Sequence, residues 1–394
     1  MNLIALSWKN LWHKPFSAIV SILLMSLGIT IVSVVVHLGI QIENQFSKNA
    51  KDIDLVIGAK GSPKQIILSS IYHIDAPTGN IPVSEVAPFI KHPMVATAIP
   101  LAFGDSYRGF KILGTKVSDY LEHFEVGLSD GKKDINGMEV IVGWRVAERL
   151  GLSLGDHFHG THGMEEEDTE HVHEGHSYTV VGILDECGLA MDQLILCTIE
   201  SVWSIHEGHG ASTQKEYTSV LIEFKNPMGM MQLPRMINEK SRLQAALPAI
   251  EINSLIHQMG IGIEALKLIA TLIICISALS VFLSLLAAFK ERKYELAILR
   301  SLGAYPWQLM LLIVFEALLI AGLSILLGGI LSRGLFAVLA QYLDENYHYY
   351  FANVVLIKEE LTLILYALGM AILAALIPSI MAFKLNISKT LAED

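Results

Sequence analysis

Four long stretches of this chain carry almost no charge, and they limit what it can fold into. No Asp, Glu, Lys or Arg occurs between Lys14 and Glu43, from Leu268 to Phe289, or from Leu361 to Phe383. A fourth block, Trp307 to Ser332, is broken only by Glu316. Each run exceeds the roughly 20 residues that cross a hydrocarbon core as a helix. Lipid offers a backbone no hydrogen-bond partners, so segments of this kind span as helices. The expected fold class is a membrane protein with four transmembrane α-helices. The composition agrees: 17% of the 394 residues are charged, against about 25% in a soluble domain. The first run is longer than the roughly 7–15 residues of a signal-peptide core, and no small-x-small cleavage pattern follows closely, so a retained span is expected.

Lys and Arg in short loops orient such spans. Lys9 and Lys14 precede span one, Lys290, Arg292, Lys293 and Arg300 lie between spans two and three, and Lys384 and Lys389 follow span four. The link between spans three and four holds Lys358 among Asp344, Glu345, Glu359 and Glu360, with Arg333 at its edge. The basic segments all fall on one side, which places both termini in the cytoplasm. The plan is then an amphipathic lead-in helix (1–14), span one (15–42), an extracytoplasmic domain (43–262), span two (263–289), a cytoplasmic surface helix (290–304), span three (305–333), an extracytoplasmic loop (334–360), span four (361–383) and a cytoplasmic tail (384–394). A net charge of −11 without a basic cluster argues against a nucleic-acid partner.

The large outer segment reads as a folded α+β domain. Glu139–Gly143, Tyr178–Leu184 and Ser219–Phe224 are short β-rich runs between turn signals, and Val146–Gly151 reads as a helix stopped by glycine. Cys187 and Cys197 lie ten apart there. They form a disulfide in an oxidising compartment, or are two ordinary small apolar residues. Within the spans, Ala321, Gly322, Gly328 and Gly329 in the third and Gly369, Ala371, Ala374 and Ala375 in the fourth let helices approach closely. Glu316 lies deep in span three, about 16 Å from Tyr305 at 1.5 Å per residue, close to the midplane. Three roles suit a carboxylate there: a polar helix–helix contact, transmission of motion, or an ion path.

The surface helix reads Phe289-Lys-Glu-Arg-Lys-Tyr-Glu-Leu-Ala-Ile-Leu-Arg-Ser-Leu-Gly-Ala304. Leu296, Leu299 and Leu302 are its expected apolar contacts, Lys290, Arg292 and Lys293 its charged face, and Gly303 its stop. This segment resembles the coupling helix of the ABC-transporter permeases of the MacB, LolC and FtsX type, through Glu291, Arg292, Glu295, Leu296, Leu299, Arg300, Leu302, Gly303 and Ala304. Ala5–Trp12 is similar to that family's lead-in helix, Phe315–Leu319 with Gly328 and Gly329 to its third span, and Gly182–Asp192 to a strand-turn segment of its outer domain. Ile387–Leu391 is similar to its closing segment, with Ile387 and Thr390 replacing the usual Pro and Ala.

The resemblance implies a multi-pass protein of the bacterial inner membrane, working as a homodimer or pseudo-dimer of permeases. Two copies of a separate ATPase subunit would dock on the coupling helices, with Glu291, Arg292, Glu295, Leu299, Arg300 and Gly303 as the coupling residues. Movement of the ATPases would be transmitted to the outer domains in export or extraction of a cargo. The alternative is a signalling or scaffolding subunit controlling an outer partner such as a cell-wall hydrolase. No G-x-x-x-x-G-K-[ST] phosphate loop occurs in the chain, so no ATP site of that kind is expected in it.

One segment stands apart. His157–His176 holds His157, His159, His162, His171, His173 and His176, interleaved with six carboxylates. At this position the family resemblance implies a β-hairpin. Residues two apart on a strand share a face, so pairing His157 and His159 with His171 and His173 would gather four imidazoles, a donor set for zinc or copper. A solvated polar loop fits the same composition. Gly151-Leu-Ser-Leu-Gly155 matches G-x-S-x-G but lacks the strand–elbow–helix setting that pattern needs, so no catalytic residue is expected.

Overall fold

The computed structural model describes residues 3–13, 15–161, 177–206, 215–347, 358–387 and 390. The chain divides into two compact units, one of residues 1–42 and 258–394 and one of residues 43–257. In chain order the helices are α1 (Leu3–His13), α2 (Pro15–Asn49), α3 (Pro63–Ser70), α4 (Val83–Ile90), α5 (Val117–His123), α6 (Trp144–Leu150), α7 (Ile199–His206), α8 (Met228–Lys240), α9 (Pro248–Glu291), α10 (Lys293–Ser301), α11 (Pro306–Tyr347) and α12 (Lys358–Phe383). The strands are β1 (Leu55–Ala59), β2 (Ile81–Pro82), β3 (Val95–Tyr107), β4 (Phe110–Thr115), β5 (Leu128–Gly131), β6 (Glu139–Val142), β7 (His157–Phe158), β8 (Tyr178–Leu184), β9 (Leu194–Thr198), β10 (Glu216–Tyr217), β11 (Ser219–Phe224) and β12 (Leu243–Ala246).

Four helices among the described residues are long and apolar enough to cross a membrane: α2, α9, α11 and α12. Three outrun the apolar runs. The 44-residue α9 is about 66 Å long, twice a hydrocarbon core. It starts at Pro248, fifteen residues before the span expected from hydropathy, because proline is favoured in the first helical turn and nothing after it stops the helix. Likewise α2 continues to Asn49 and α11 to Tyr347. Leaving an apolar run does not by itself end a hydrogen-bond ladder.

Small side chains set the packing of this unit. Gly28 lies where a Cβ would approach Ile274 on α9 to 2.9 Å, and Gly328 where one would meet the Ser26 carbonyl on α2 at 2.9 Å. Ser17 and Ser284 bond at 2.6 Å, and Ser21 and Ser280 at 3.1 Å, pinning α2 to α9. Ala321, Ala367 and Ala371 let α11 and α12 meet closely.

The second unit is built on a ten-stranded mixed sheet in the order β12-β1-β11-β3-β4-β9-β6-β8-β5, with β7 added on β8. The pairs β4–β9 and β6–β8 are parallel and the others antiparallel. Both faces are covered. Along β9, Leu194 and Leu196 enter one core while Ile195 and Cys197 enter the other. On β6, Ile141 joins the first and Val140 and Val142 the second. This explains why the strands read as unbroken apolar runs instead of alternating ones. The expected strands at 178–184 and 219–224 appear with those bounds, and Gly151, at φ 64°, ends α6.

The two outer cysteines are free. Cys197 lies in the second core while Cys187 packs against the first, on the opposite side of the sheet. After β8, buried Asp192 organises the turn by accepting bonds from the amides of Cys187 (3.2 Å) and Gly188 (2.7 Å). It also accepts from the Cys187 thiol at 3.0 Å. Burial and this carboxylate push that thiol well up from its ordinary value.

His73 is buried in the first core with a left-handed backbone, φ 56°. Its Nε2 is 3.3 Å from the Tyr120 hydroxyl, and Phe103 stands edge-on at 5.6 Å. Burial, aided by the Lys111 ammonium, pushes the imidazole pKa down to about 3. The histidine is thus neutral when folded but takes up a proton near pH 6.5 once unfolded. Its contribution to stability is complete above about pH 6.5 and declines as pH falls toward the folded value, by about 1.4 kcal/mol per pH unit. Replacing His73 with Asn, which tolerates the left-handed backbone, should remove this component. Denaturation of wild type and variant at pH 7 and pH 4.5 should give a stability difference that shrinks in acid, and a constant difference would refute the assignment.

Candidate functional site

The region with coupling-helix character begins where α9 breaks. Arg292 (φ −97°, ψ 9°) separates α9 from α10, with backbone bonds continuing on either side. At the far end, the Ala304 amide bonds the Leu299 carbonyl at 3.0 Å and the Gly303 amide bonds the Arg300 carbonyl at 3.1 Å. These two bonds form a Schellman stop. Gly303 sits at φ 99° with no atom within 4 Å of a built Cβ. Glycine is needed there for the backbone, not for space.

This joint fixes which face of α10 turns inward. Leu296 and Ala297 are buried against Leu285, Phe289, Leu309 and Ile313. Leu299 is half-buried. Leu302 departs from the expectation of an apolar contact, being 78% exposed. It stands one turn beyond exposed Ile298 and two beyond exposed Tyr294, and exposed Glu295 adjoins them. Residues four apart share a helix face, so α10 presents an apolar strip edged by acid. Arg300 lies half-buried behind it, its Nε enclosed without a hydrogen-bond partner among the described residues.

Arg292 also departs from the expected exposed charged face. Its side chain is 15% exposed and turns inward, with Nη1 3.0 Å from Oε1 of Glu316 on α11. The same oxygen accepts a bond from Asn10 Nδ2 on α1 at 2.7 Å, and Arg292 Nε is 3.4 Å from Glu295. Ser7 on α1 adds a bond to the Leu312 carbonyl at 3.2 Å. Glu316 therefore ties α11 to α1 and to the joint between α9 and α10. Asn10 carries no signal in the sequence: a polar residue on a lead-in helix reads as solvent-facing.

His157 and His159 are both exposed and flank buried Phe158, which stacks on Tyr107 at 4.4 Å. β7 pairs with β8, His157 opposite Thr179, and the Thr179 hydroxyl is 2.9 Å from His157 Nδ1. His162, His171, His173 and His176 lie outside the described residues. Among the described residues no group of three or more His, Cys, Asp or Glu side chains is placed to hold a metal. Gly151–Gly155 follows the end of α6 and leads toward β7, with positive φ at both glycines. That is a turn, not a nucleophile elbow.

Removing one partner of a buried ion pair strands the other charge and costs roughly 3–5 kcal/mol. Because Arg292 keeps some water contact, Glu316→Gln should fall near the lower end, about 3 kcal/mol. It should also speed tryptic cleavage after Arg292 several-fold. The double variant Arg292→Met with Glu316→Met should recover most of the thermal stability of the detergent-solubilised chain. Equal losses in single and double variants would show that the pair does not hold the joint.

Comparison with known proteins places these features. A family model of MacB-like periplasmic core domains matches residues 18–233, and one of FtsX-like permease C-terminal domains matches residues 267–387. Among solved structures, the periplasmic region of MacB from Actinobacillus actinomycetemcomitans is 9% identical with a TM-score of 0.35, covering 53% of this chain and 97% of that one. The extracellular domain of the noncanonic ABC-type transporter YknZ from Gram-positive bacteria is 14% identical with a TM-score of 0.31, covering 49% of this chain and 98% of that one. No curated protein sequence matches. With the periplasmic-core match alone covering more than half of the residues, the chain belongs to the MacB- and FtsX-like permeases, membrane subunits of ABC transporters that work with a separate ATPase subunit.

Proposed function

We propose that this chain is the permease of an ATP-driven export or extraction complex, with α10 as the docking element for the ATPase. Two copies of the permease and two ATPase subunits complete the assembly. Both termini and α10 face the cytoplasm of a bacterial inner membrane, and the second unit lies outside it. The single observation that carries this reading is the division of α10. One face is packed and ion-paired into the bundle, while Tyr294, Ile298 and Leu302 stand exposed as an apolar strip beside Glu295. Such a strip fits a hydrophobic cleft with a basic rim on a protein partner. ATP-driven movement of that partner would reach the bundle through Arg292 and the stop at Gly303.

The test is Leu302→Asp in the complex reconstituted in lipid. The side chain touches little of its own protein, so insertion and folding should match wild type. A charge in the centre of a desolvated contact should lower permease-dependent ATP turnover tenfold or more. Glu295→Lys and Gly303→Val should act in the same direction. Undiminished turnover in Leu302→Asp would mean that another segment docks the ATPase.

A second reading concerns the histidine-rich segment, and the Thr179 contact favours it. With Nδ1 of His157 held by that hydroxyl, Nε2 is oriented for a ligand, as in metal sites where a neighbouring group fixes the ring. We propose that His157, His159, His171 and His173 bind Zn²⁺ or Cu²⁺, linking the transporter to metal handling as cargo or regulator. Calorimetry with ZnCl₂ on the purified full chain should show binding that weakens in acid, because imidazole coordinates only when neutral. Replacing the four histidines with Ala should abolish it; retained affinity would dismiss the site.

A further inference from the structure

A second ion pair, with its carboxylate buried and its guanidinium a third exposed, involves α11 far along the helix from the first. Arg333 grips Glu360, in the first turn of α12, with two prongs: Nη1 to Oε1 at 2.8 Å and Nη2 to Oε2 at 2.5 Å. The Ser33 hydroxyl on α2 donates to the same Oε1 at 2.5 Å and lies 3.1 Å from the Ser332 hydroxyl. His37, one turn further along α2, places Nδ1 3.6 Å from that oxygen and its ring 5.4 Å from Phe336. Glu360, Ser33, Ser332 and His37 are all buried. One carboxylate thus ties α2, α11 and α12 together.

The two anchors sit seventeen residues apart on one helix, Glu316 and Arg333, or about 25 Å. The helix between them has little room to slide. Gly328 lies against the α2 backbone, and Thr30 Oγ1 reaches the Gly328 carbonyl at 3.2 Å. The other route out of α10 is α9, joined to α2 by neutral serine contacts at Ser17 and Ser21. A two-pronged ion pair holds direction and distance more firmly than a hydroxyl pair.

We propose that α11 is a strut that carries movement of α10 to α2, with Arg333, Glu360 and Ser33 as positioning residues for coupling. The strut takes up motion at Arg292–Glu316 and delivers it at Arg333–Glu360. From there α2 runs to Asn49, and its last residues belong to the second unit. The proposal rests on the coupling role of α10 and adds to it the route.

The experiment uses the full permease–ATPase complex in lipid nanodiscs, with fluorophores placed by amber suppression at Lys48 on α2 and Lys267 on α9. Wild type should show an ATP-dependent change in energy transfer. Arg333→Gln and Glu360→Gln should each reduce that change at least fivefold while ATP turnover stays within twofold of wild type. The double variant should lose no more than either single, because all three break the same link. Ser33→Ala, which strands no charge, should give a smaller loss in transfer with turnover unchanged. A full-sized change in Glu360→Gln overturns the strut, as do losses that multiply in the double variant. Turnover that falls together with transfer in Ser33→Ala overturns it too, by showing a merely structural role. A wild type with no ATP-dependent change overturns the coupling reading beneath it instead.

Discussion

Glu316 meets Arg292 at 3.0 Å inside a bundle packed mainly from leucine, isoleucine, alanine, valine and phenylalanine. A carboxylate in such surroundings is tolerated only with a cation and further donors at hand. Arg292 supplies the cation and Asn10 the extra donor. Much follows from that requirement. The guanidinium must turn inward, which rotates the start of α10 so that Leu296 and Ala297 pack while Ile298 and Leu302 face out. α1 must lie against α11 to bring Asn10 within reach. The exposed face of α10 is thus what remains after the buried charge has been satisfied.

The outer unit obeys a different constraint. Its sheet is covered on both faces, so each central strand must be apolar at consecutive positions. Non-local pairing such as β4 with β9 then joins segments some eighty residues apart in the chain. Glycines mark where elements close on one another: a Cβ on Gly143 would fall 2.3 Å from the Asp192 carbonyl, where α6 begins against the turn that Asp192 organises. The same Asp192 holds Cys187 on its side of the sheet, away from Cys197.

Much of this was legible from residue order. Apolar runs mark the four spans because lipid leaves no alternative, β8 and β11 show as short β-rich runs, and Gly151 ends α6. Helix ends beyond the lipid were not legible, since hydropathy is silent once water returns; Pro248 was the available signal for α9. The charge clusters were harder. Arg292 reads as one more cation on a basic surface helix, and Asn10 contacts Glu316 across 306 positions of sequence. Arg333 and Glu360 read as loop-edge charges because the ends of α11 and α12 lie outside the uncharged blocks. Partners set by three-dimensional convergence leave no periodic trace.

The exposed strip on α10 has a consequence for assembly inside a cell. In the single chain, Tyr294, Ile298 and Leu302 present an apolar surface. That is the kind of surface quality-control proteases and chaperones engage. If α10 is the docking element proposed above, a permease made in excess of its ATPase would display this strip and be removed, while a matched one would hide it. On the docking role proposed for α10, the same face would also report stoichiometry, tying the abundance of the membrane subunit to that of its soluble partner without a dedicated regulator.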